Sequence, residues 1–350
     1  KWIAPRLVCE VAFTEFTNDG VLRHPSFIAL REDKAASQVV REVPAKVTPK
    51  RSAKAKAGLA TAADIGVAIS NPDRIIFPGD ELTKGQLADY YAAVAPLLLV
   101  TLKDRPMTLI RCPQGRAKHC FFQKHDSGGM GENVLHVPIE EGDGDIEDYL
   151  YIRDAKGLLA CVQMGTIEFH GWGSRVKPLE KPDRLVFDLD PDVGLDFAAV
   201  KSAAVRLKDL LADLGLVTFP LLSGGKGIHV VAPLKPKADW PAVKSFAERF
   251  TRAIAQAEPE TFTANIRKKE RKGRIFLDWL RNQRGATAVM PYSARAREGA
   301  PVAAPVSWDE LDGYAGANHF SIRDAAELIE RSSSPALAGW GEANQVLPGY

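Results

Sequence analysis

The run Leu185-Val186-Phe187-Asp188-Leu189-Asp190-Pro191-Asp192 limits what this chain can fold into more than any other stretch: it is an apolar segment broken by carboxylates two residues apart. On a β-strand, residues i and i+2 point to the same face. Asp188 and Asp190 then project together from one side, while Leu185, Phe187 and Leu189 pack on the other. Two carboxylates held that close repel one another unless a cation sits between them. Hard oxygen ligands at short spacing suit Mg²⁺ or Mn²⁺, and paired metals at such sites serve phosphoryl transfer. An exposed loop pair would carry none of this chemistry, so the strand reading rests on the apolar pattern and on two later segments.

The first of these is Leu221-Leu222-Ser223-Gly224-Gly225-Lys226-Gly227-Ile228-His229-Val230-Val231, a glycine-rich turn between apolar runs. Glycines let backbone N–H groups approach an anion, and Lys226 offers its charge to a phosphate. This is not a Walker-type loop, because no Gly-Lys-Ser/Thr opens a helix. An ordinary hairpin turn with a surface lysine has the same residues. The second segment is Arg274-Ile275-Phe276-Leu277-Asp278-Trp279-Leu280-Arg281, which follows the basic cluster Arg267, Lys268, Lys269, Arg271 and Lys272. A buried Asp278 needs a cation, either a metal or an arginine. Three strand carboxylates, a phosphate-type turn and a basic cluster together favour nucleotidyl transfer.

Several of these segments, taken in order, resemble a known family. Glu168-Phe169-His170, Phe187-Asp188-Leu189-Asp190-Pro191, Ser223-Gly224-Gly225-Lys226-Gly227-Ile228-His229 and Leu277-Asp278-Trp279 are similar to motifs of the polymerase domain of bacterial ligase D, in the archaeo-eukaryotic primase superfamily. The resemblance runs from about Ile65 to near Trp340 and includes Asn71-Pro72-Asp73-Arg74 and Phe121-Phe122-Gln123-Lys124-His125. The opening, from Trp2-Ile3-Ala4-Pro5 through Leu30-Arg31-Glu32-Asp33-Lys34, resembles the last strands of the oligonucleotide-binding (OB) domain of ATP-dependent DNA ligases. No Lys-x-Asp-Gly nucleotidyl-acceptor motif and no initiating Met occur. The chain therefore reads as a fragment: residues 1–42 as the end of a ligase OB domain, 43–63 as a basic linker, and 64–343 as a primase-like polymerase domain. The linker mixes Lys, Arg, Ala, Pro and Ser without periodicity, the composition of a solvated tether.

The resemblance implies an α/β primase-polymerase fold, with an N-terminal α/β portion and an RRM-like catalytic portion. It implies that Asp188, Asp190 and Asp278 hold two divalent ions, Mn²⁺ or Mg²⁺. It sets His170, Ser223, Lys226 and His229, with Arg271 and Arg295, around an incoming NTP or dNTP. Asn71, Arg74 and Lys84 match the family's pocket for a 5′-phosphate at a DNA break, with Arg74 where a lysine is usual. A planar fork binds phosphate differently from a point charge; a helix cap with solvated charges is the other reading of these residues. Phe121 and Phe122 are adjacent, so on a strand one faces the core and the other remains free to stack on a template base. Which ring does so stays open, as do a core role for both and a merely structural role for His170. The implied biology is gap filling and end extension in bacterial non-homologous end joining. Its implied setting is the cytoplasm, near the nucleoid, with the ligase module of the same polypeptide and the Ku end-binding protein as partners. A metal-dependent nuclease and a non-catalytic DNA-end-binding module are the competing classes.

Composition fits these expectations. Hydrophobic residues make up 45% and charged residues 26% of the 350 residues, ordinary globular usage. The net charge is +2, so nucleic acid must meet local basic surfaces. Cys9, Cys112, Cys120 and Cys161 show no close-paired zinc spacing, and nothing in them implies a disulfide framework. The longest apolar stretch, around residues 96–100, is too short to span a membrane. Thr83-Lys84-Gly85-Gln86 has capping-box spacing and predicts a helix through Leu99. A strand is predicted at 107–111 and a helix at 197–214, so that 184–232 reads as strand, helix, then two strands around the glycine turn.

Overall fold

The computed structural model of the chain describes residues 9–12, 15–16, 22–23, 26–30 and 58–350. The chain divides into two compact units, Lys1–Ala57 and Gly58–Tyr350. In the first, β1 (Cys9–Ala12) pairs antiparallel with β4 (Ser26–Leu30), and β2 (Glu15–Phe16) with β3 (Leu22–Arg23). The remainder of the expected OB segment and linker residues 43–57 lie outside the described residues. Residues 58–63 belong to the second unit, where Ala62 is buried and its N–H donates to Asp89.

The second unit opens with the short hairpin of β5 (Ile75–Phe77) and β6 (Leu82–Thr83), which leads into α1 (Lys84–Leu102). The capping box forms as expected: Thr83 Oγ1 accepts from Gln86 N and Gln86 Oε1 accepts from Thr83 N. The helix runs one turn beyond the predicted end. Its composition and length are those of a segment able to cross a membrane, unlike the short apolar stretch read from sequence, but more than half of it is buried inside the unit as a core helix.

Next come β7 (Met107–Arg111), β8 (Phe121–Gln123), the hairpin of β9 (Leu135–Glu140) and β10 (Ile146–Tyr151), α2 (Ala155–Gln163) and β11 (Thr166–Trp172). The portion expected to be RRM-like consists of β12 (Arg184–Pro191), α3 (Phe197–Asp213), β13 (Phe219–Leu222), β14 (Ile228–Pro233), α4 (Trp240–Ala257), β15 (Phe262–Thr263) and β16 (Ile275–Asp278). It is followed by β17 (Thr287–Val289), β18 (Ala304–Pro305) and α5 (Ala325–Ser332). Helices α2, α3 and α4 all start on an aspartate whose side chain accepts an N–H of the first turn: Asp154, Asp196 and Asp239.

Two sheets result. One has the order β17-β11-β7-β8; the other β15-β16-β12-β14-β13-β18. Within the second, β12, β13, β14 and β16 with α3 and α4 form a βαββαβ unit of strand order 4-1-3-2, the RRM-like arrangement expected. Alternation along β12 decides the rest. Leu185, Phe187 and Leu189 are fully buried, with Phe187 against Phe250 of α4, so the carboxylates between them are turned to the opposite face.

One expectation fails. Cys112 and Cys120 are joined in a disulfide, whereas nothing in the spacing had implied one. The reason is the hairpin: Arg111 pairs with Phe121, so the next residues outward face each other across the turn.

Candidate active site

Asp188 lies directly opposite His229 on β14 and directly opposite Asp278 on β16, with Asp190 two residues along β12 on the same face. Asp188 and Asp278 are buried, and Asp190 is half-exposed. His229 Nε2 lies 3.3 Å from Asp188 Oδ1. The Arg281 guanidinium spans two of the acids, 3.4 Å from Asp188 Oδ2 and 3.1 Å from Asp278 Oδ2. Arg271 stands 3.7 Å from Asp190 Oδ2, its guanidinium carbon 3.8 Å from the centre of the Phe276 ring.

These neighbours split the three acids. Burial raises Asp190 and Asp278, the charge of Asp188 adds to both, and the arginines offset only part of it. Burial also acts on Asp188, but the charge and hydrogen bond of His229, helped by Arg281 and Arg295, hold it below the usual carboxylate range.

The glycine turn lies against this strand. Ser223 N–H and Oγ both donate to Gly227 O, and Gly225 N–H donates to Ser223 Oγ. Gly224 has φ +67, and a Cβ there would stand 2.7 Å from Arg295 Cγ. A Cβ on Gly227 would stand 2.2 Å from the Leu189 carbonyl oxygen. Only glycine lets the turn's backbone come down on β12 beside the carboxylates.

Between the sheets is a cavity of about 280 Å³ lined by His170, Asp188, Asp190, Ser223, Lys226, His229 and Arg295, residues singled out from widely separated stretches of sequence. Asp278 reaches the group through strand pairing with Asp188, and Arg271 through its contact with Asp190. Three further residues had no assigned role: Arg281, Glu168 and Arg297. Glu168 is buried and accepts from Arg295 Nε, Ala296 N–H and His170 Nε2, at 2.8, 2.7 and 2.8 Å respectively. Burial alone would raise its pKa, but His170 and Arg295 outweigh it and lower the pKa to about 2. Burial in turn pushes His170 below its ordinary value against the pull of Glu168, favouring the neutral ring. Arg295 also donates to the Ser223 carbonyl and so ties this network to the turn. Lys226 and Arg297 line the same cavity, and Arg297 lies against the Gly225 backbone. Among the described residues neither side chain has a hydrogen-bond or ion-pair partner. Arg281 is signalled by its position three residues after Asp278, and Arg297 by its position two residues after Arg295.

Among the described residues no group of three or more His, Cys, Asp or Glu side chains stands close enough together to hold a metal ion. Arg281 and Arg271 supply the positive charge that the acids face. By donor chemistry the three carboxylates, on two adjacent strands and two of them raised by burial and repulsion, are of the kind a hard divalent cation takes, although as placed they do not stand close enough together to share one.

A second cavity, of about 270 Å³, gathers Asn71, Arg74 and Lys84 with Ser70, Arg111, Cys112 and Gln163. Lys84 is buried, and its Nζ donates to Ser70 O and Gln163 Oε1. Burial, with the charge of Arg74, lowers its pKa. Gln163 also accepts from Ser70 N–H and donates to Ser70 Oγ, fixing the loop on which Asn71 sits at φ +50. Arg74 donates to the Pro113 carbonyl. Strand β11 links the two cavities: Thr166 lines one and His170 the other, about 13 Å apart at ~3.3 Å per residue. The two phenylalanines differ in exposure. Phe122 is 74% exposed, whereas Phe121 is half-buried beside His119 and Arg111.

The family model described as "LigD, primase-polymerase domain" matches residues 83–336, and that described as "ATP dependent DNA ligase C terminal region" matches residues 1–34. The multifunctional non-homologous end joining protein LigD of Pseudomonas aeruginosa is 42% identical over 331 residues, 94% of this chain and 39% of that protein. The corresponding protein of Mycobacterium tuberculosis is 34% identical over 262 residues, 73% of this chain and 34% of its own length. The chain thus spans well under half of these relatives. Among solved structures, the polymerase domain of Mycobacterium tuberculosis ligase D in complex with DNA matches with a TM-score of 0.72 and 33% identity, covering 77% of this chain and 96% of that one.

Proposed function

This chain belongs to the ligase D primase-polymerase family, and from that premise we propose that it is a template-directed nucleotidyltransferase that extends a primer strand across a short DNA gap. The observation that carries the reading is the convergence of Asp188, Asp190 and the glycine turn on one cleft, with Asp278 paired opposite Asp188, a cleft that also contains two cations without a partner among the described residues. A nuclease needs the carboxylates but has little use for Lys226, Arg297 and the Ser223 turn.

Asp188, Asp190 and Asp278 are the residues that would hold two divalent ions, Mn²⁺ or Mg²⁺, which when bound lower the pKa of a primer 3′-hydroxyl and neutralise charge on the reacting phosphates. Arg281 and Arg271 give up their contacts with the acids to admit that charge. Lys226 and Arg297 take the triphosphate of an NTP or dNTP, together with the backbone of the turn and with Ser223 and His229. Glu168 aims Arg295 at the same cleft and holds His170, neutral and oriented, beside the nucleotide. Phe122 offers its exposed ring to the template base. Asn71, Arg74 and Lys84 bind a 5′-phosphate on the far side of the gap. Break repair by end joining, cooperation with a ligase module in the same polypeptide and contact with a Ku-type end-binding protein belong to this proposal.

The test is extension of a primer in a gapped duplex bearing a 5′-phosphate, with Mn²⁺ and nucleoside triphosphates. Wild type is expected to extend it, and Asp188→Ala to lose extension while keeping most of its DNA affinity. Extension retained by Asp188→Ala would remove the carboxylate site from the mechanism.

A further inference from the structure

The pocket assigned to the 5′-phosphate has one wall that is covalently closed. Cys112 lines it together with Arg74, Lys84 and Arg111 and is itself almost fully buried, while its disulfide partner Cys120 is only partly buried. The loop between them carries three features of the site. Its Pro113 carbonyl accepts from Arg74, its Arg116 N–H donates to Ile76 O on the hairpin below the pocket, and its far end runs straight into Phe121 and Phe122. The crosslink therefore ties the wall of the phosphate pocket to the strand that bears the exposed ring.

We propose that Cys112 and Cys120 form a reversible redox modification site that sets the affinity of this pocket for a DNA 5′-phosphate, the disulfide being the binding-competent form. The proposal rests on the phosphate-pocket reading above. The chemistry is thiol–disulfide exchange with a low-molecular-weight thiol. Its thiolate attacks the sulfur of Cys120, the less buried of the two cysteines, the Cys112–Cys120 bond breaks, and Cys112 leaves as a thiolate beside the pocket's cations, which stabilise it. A second thiolate attacks the mixed disulfide at the sulfur bonded to Cys120, releasing Cys120 and forming the small-molecule disulfide. In the reverse direction that same class of disulfide is the oxidant, and two cysteine thiols become one bond.

Two consequences weaken phosphate binding after reduction. The loop is no longer closed at its base, and a sulfur carrying or sharing negative charge stands among the cations that the phosphate needs. Oxidation reverses both. Cys161, the buried cysteine of α2, has no such access.

The experiment uses the full chain equilibrated with either oxidised glutathione or dithiothreitol. Thiols are counted under denaturing conditions, and anisotropy gives the affinity for gapped duplexes bearing a 5′-phosphate or a 5′-hydroxyl. With four cysteines in the chain and one bridge among the described residues, the oxidised protein should show two thiols and the reduced protein four. The preference for phosphate over hydroxyl should fall about tenfold on reduction, the size expected for one adverse charge contact. It should not respond to redox state in the Cys112→Ser/Cys120→Ser variant. A thiol count that moves from two to four with an unchanged preference would overturn the switch and leave the phosphate pocket standing. Absence of any phosphate preference in both states would overturn the pocket reading and the switch together. A count that oxidised glutathione cannot bring down to two would overturn the switch alone.

Discussion

Glu168 shows how far one buried side chain organises the cleft, because it fixes Arg295, His170 and the backbone at Ala296 at once. Its pKa lies below the ordinary 4.5, at about 2, so its contribution to stability is complete above about pH 4.5 and is lost as pH falls toward 2. Lowering from 4.5 to about 2 corresponds to about 3 kcal/mol of stability. Glu168→Gln should therefore be destabilised at neutral pH, and the gap between its melting temperature and that of wild type should close between pH 4.5 and 2. A gap that stays constant with pH would mean that the carboxylate's charge is not what holds the network. At the same scale, the exposed Phe122 and the packed Phe121 make opposite predictions. Phe122→Ala should weaken binding of single-stranded template by about 1–3 kcal/mol and leave the melting temperature nearly unchanged. Phe121→Ala should lower the melting temperature.

At the scale of elements, the turn from Ser223 to Gly227 works only because its backbone touches β12. Gly227→Ala would set a methyl group 2.2 Å from the Leu189 oxygen, so the turn must lift away from Asp188. Expected losses are about 1–3 kcal/mol of stability, by analogy with forced overpacking, and most of the nucleotide affinity. Normal nucleotide binding by Gly227→Ala in a calorimetric titration would contradict the close approach. Elements of this kind were readable in advance. Alternation placed Asp188 and Asp190 opposite the core, and the capping box located the start of α1. Local pattern carried that information. It carries none about partners far apart in sequence: that Arg281 also reaches Asp188, and that Arg297 lies against Gly225, depends on what folds against them. The Cys112–Cys120 bridge was missed because it depends on the β7–β8 register, which the sequence pattern left unread.

Over the whole molecule, two cavities joined along β11 have different chemistry. One is acidic at its floor with cations at its rim, while the other is cationic with a buried lysine. A gapped duplex presents complementary groups: a primer end with a nucleotide on one side, and a 5′-phosphate on the other. The central claim is that these two sites act on one such substrate under instruction from the template. The most direct measurement varies the single unpaired template base in a 5′-phosphorylated gap and records which nucleotide wild-type protein adds in the presence of Mn²⁺. The account predicts addition of the complementary nucleotide at each of the four templates, with slower addition when the 5′-phosphate is replaced by a hydroxyl. Shortened strands, or addition that ignores the template base, would contradict it.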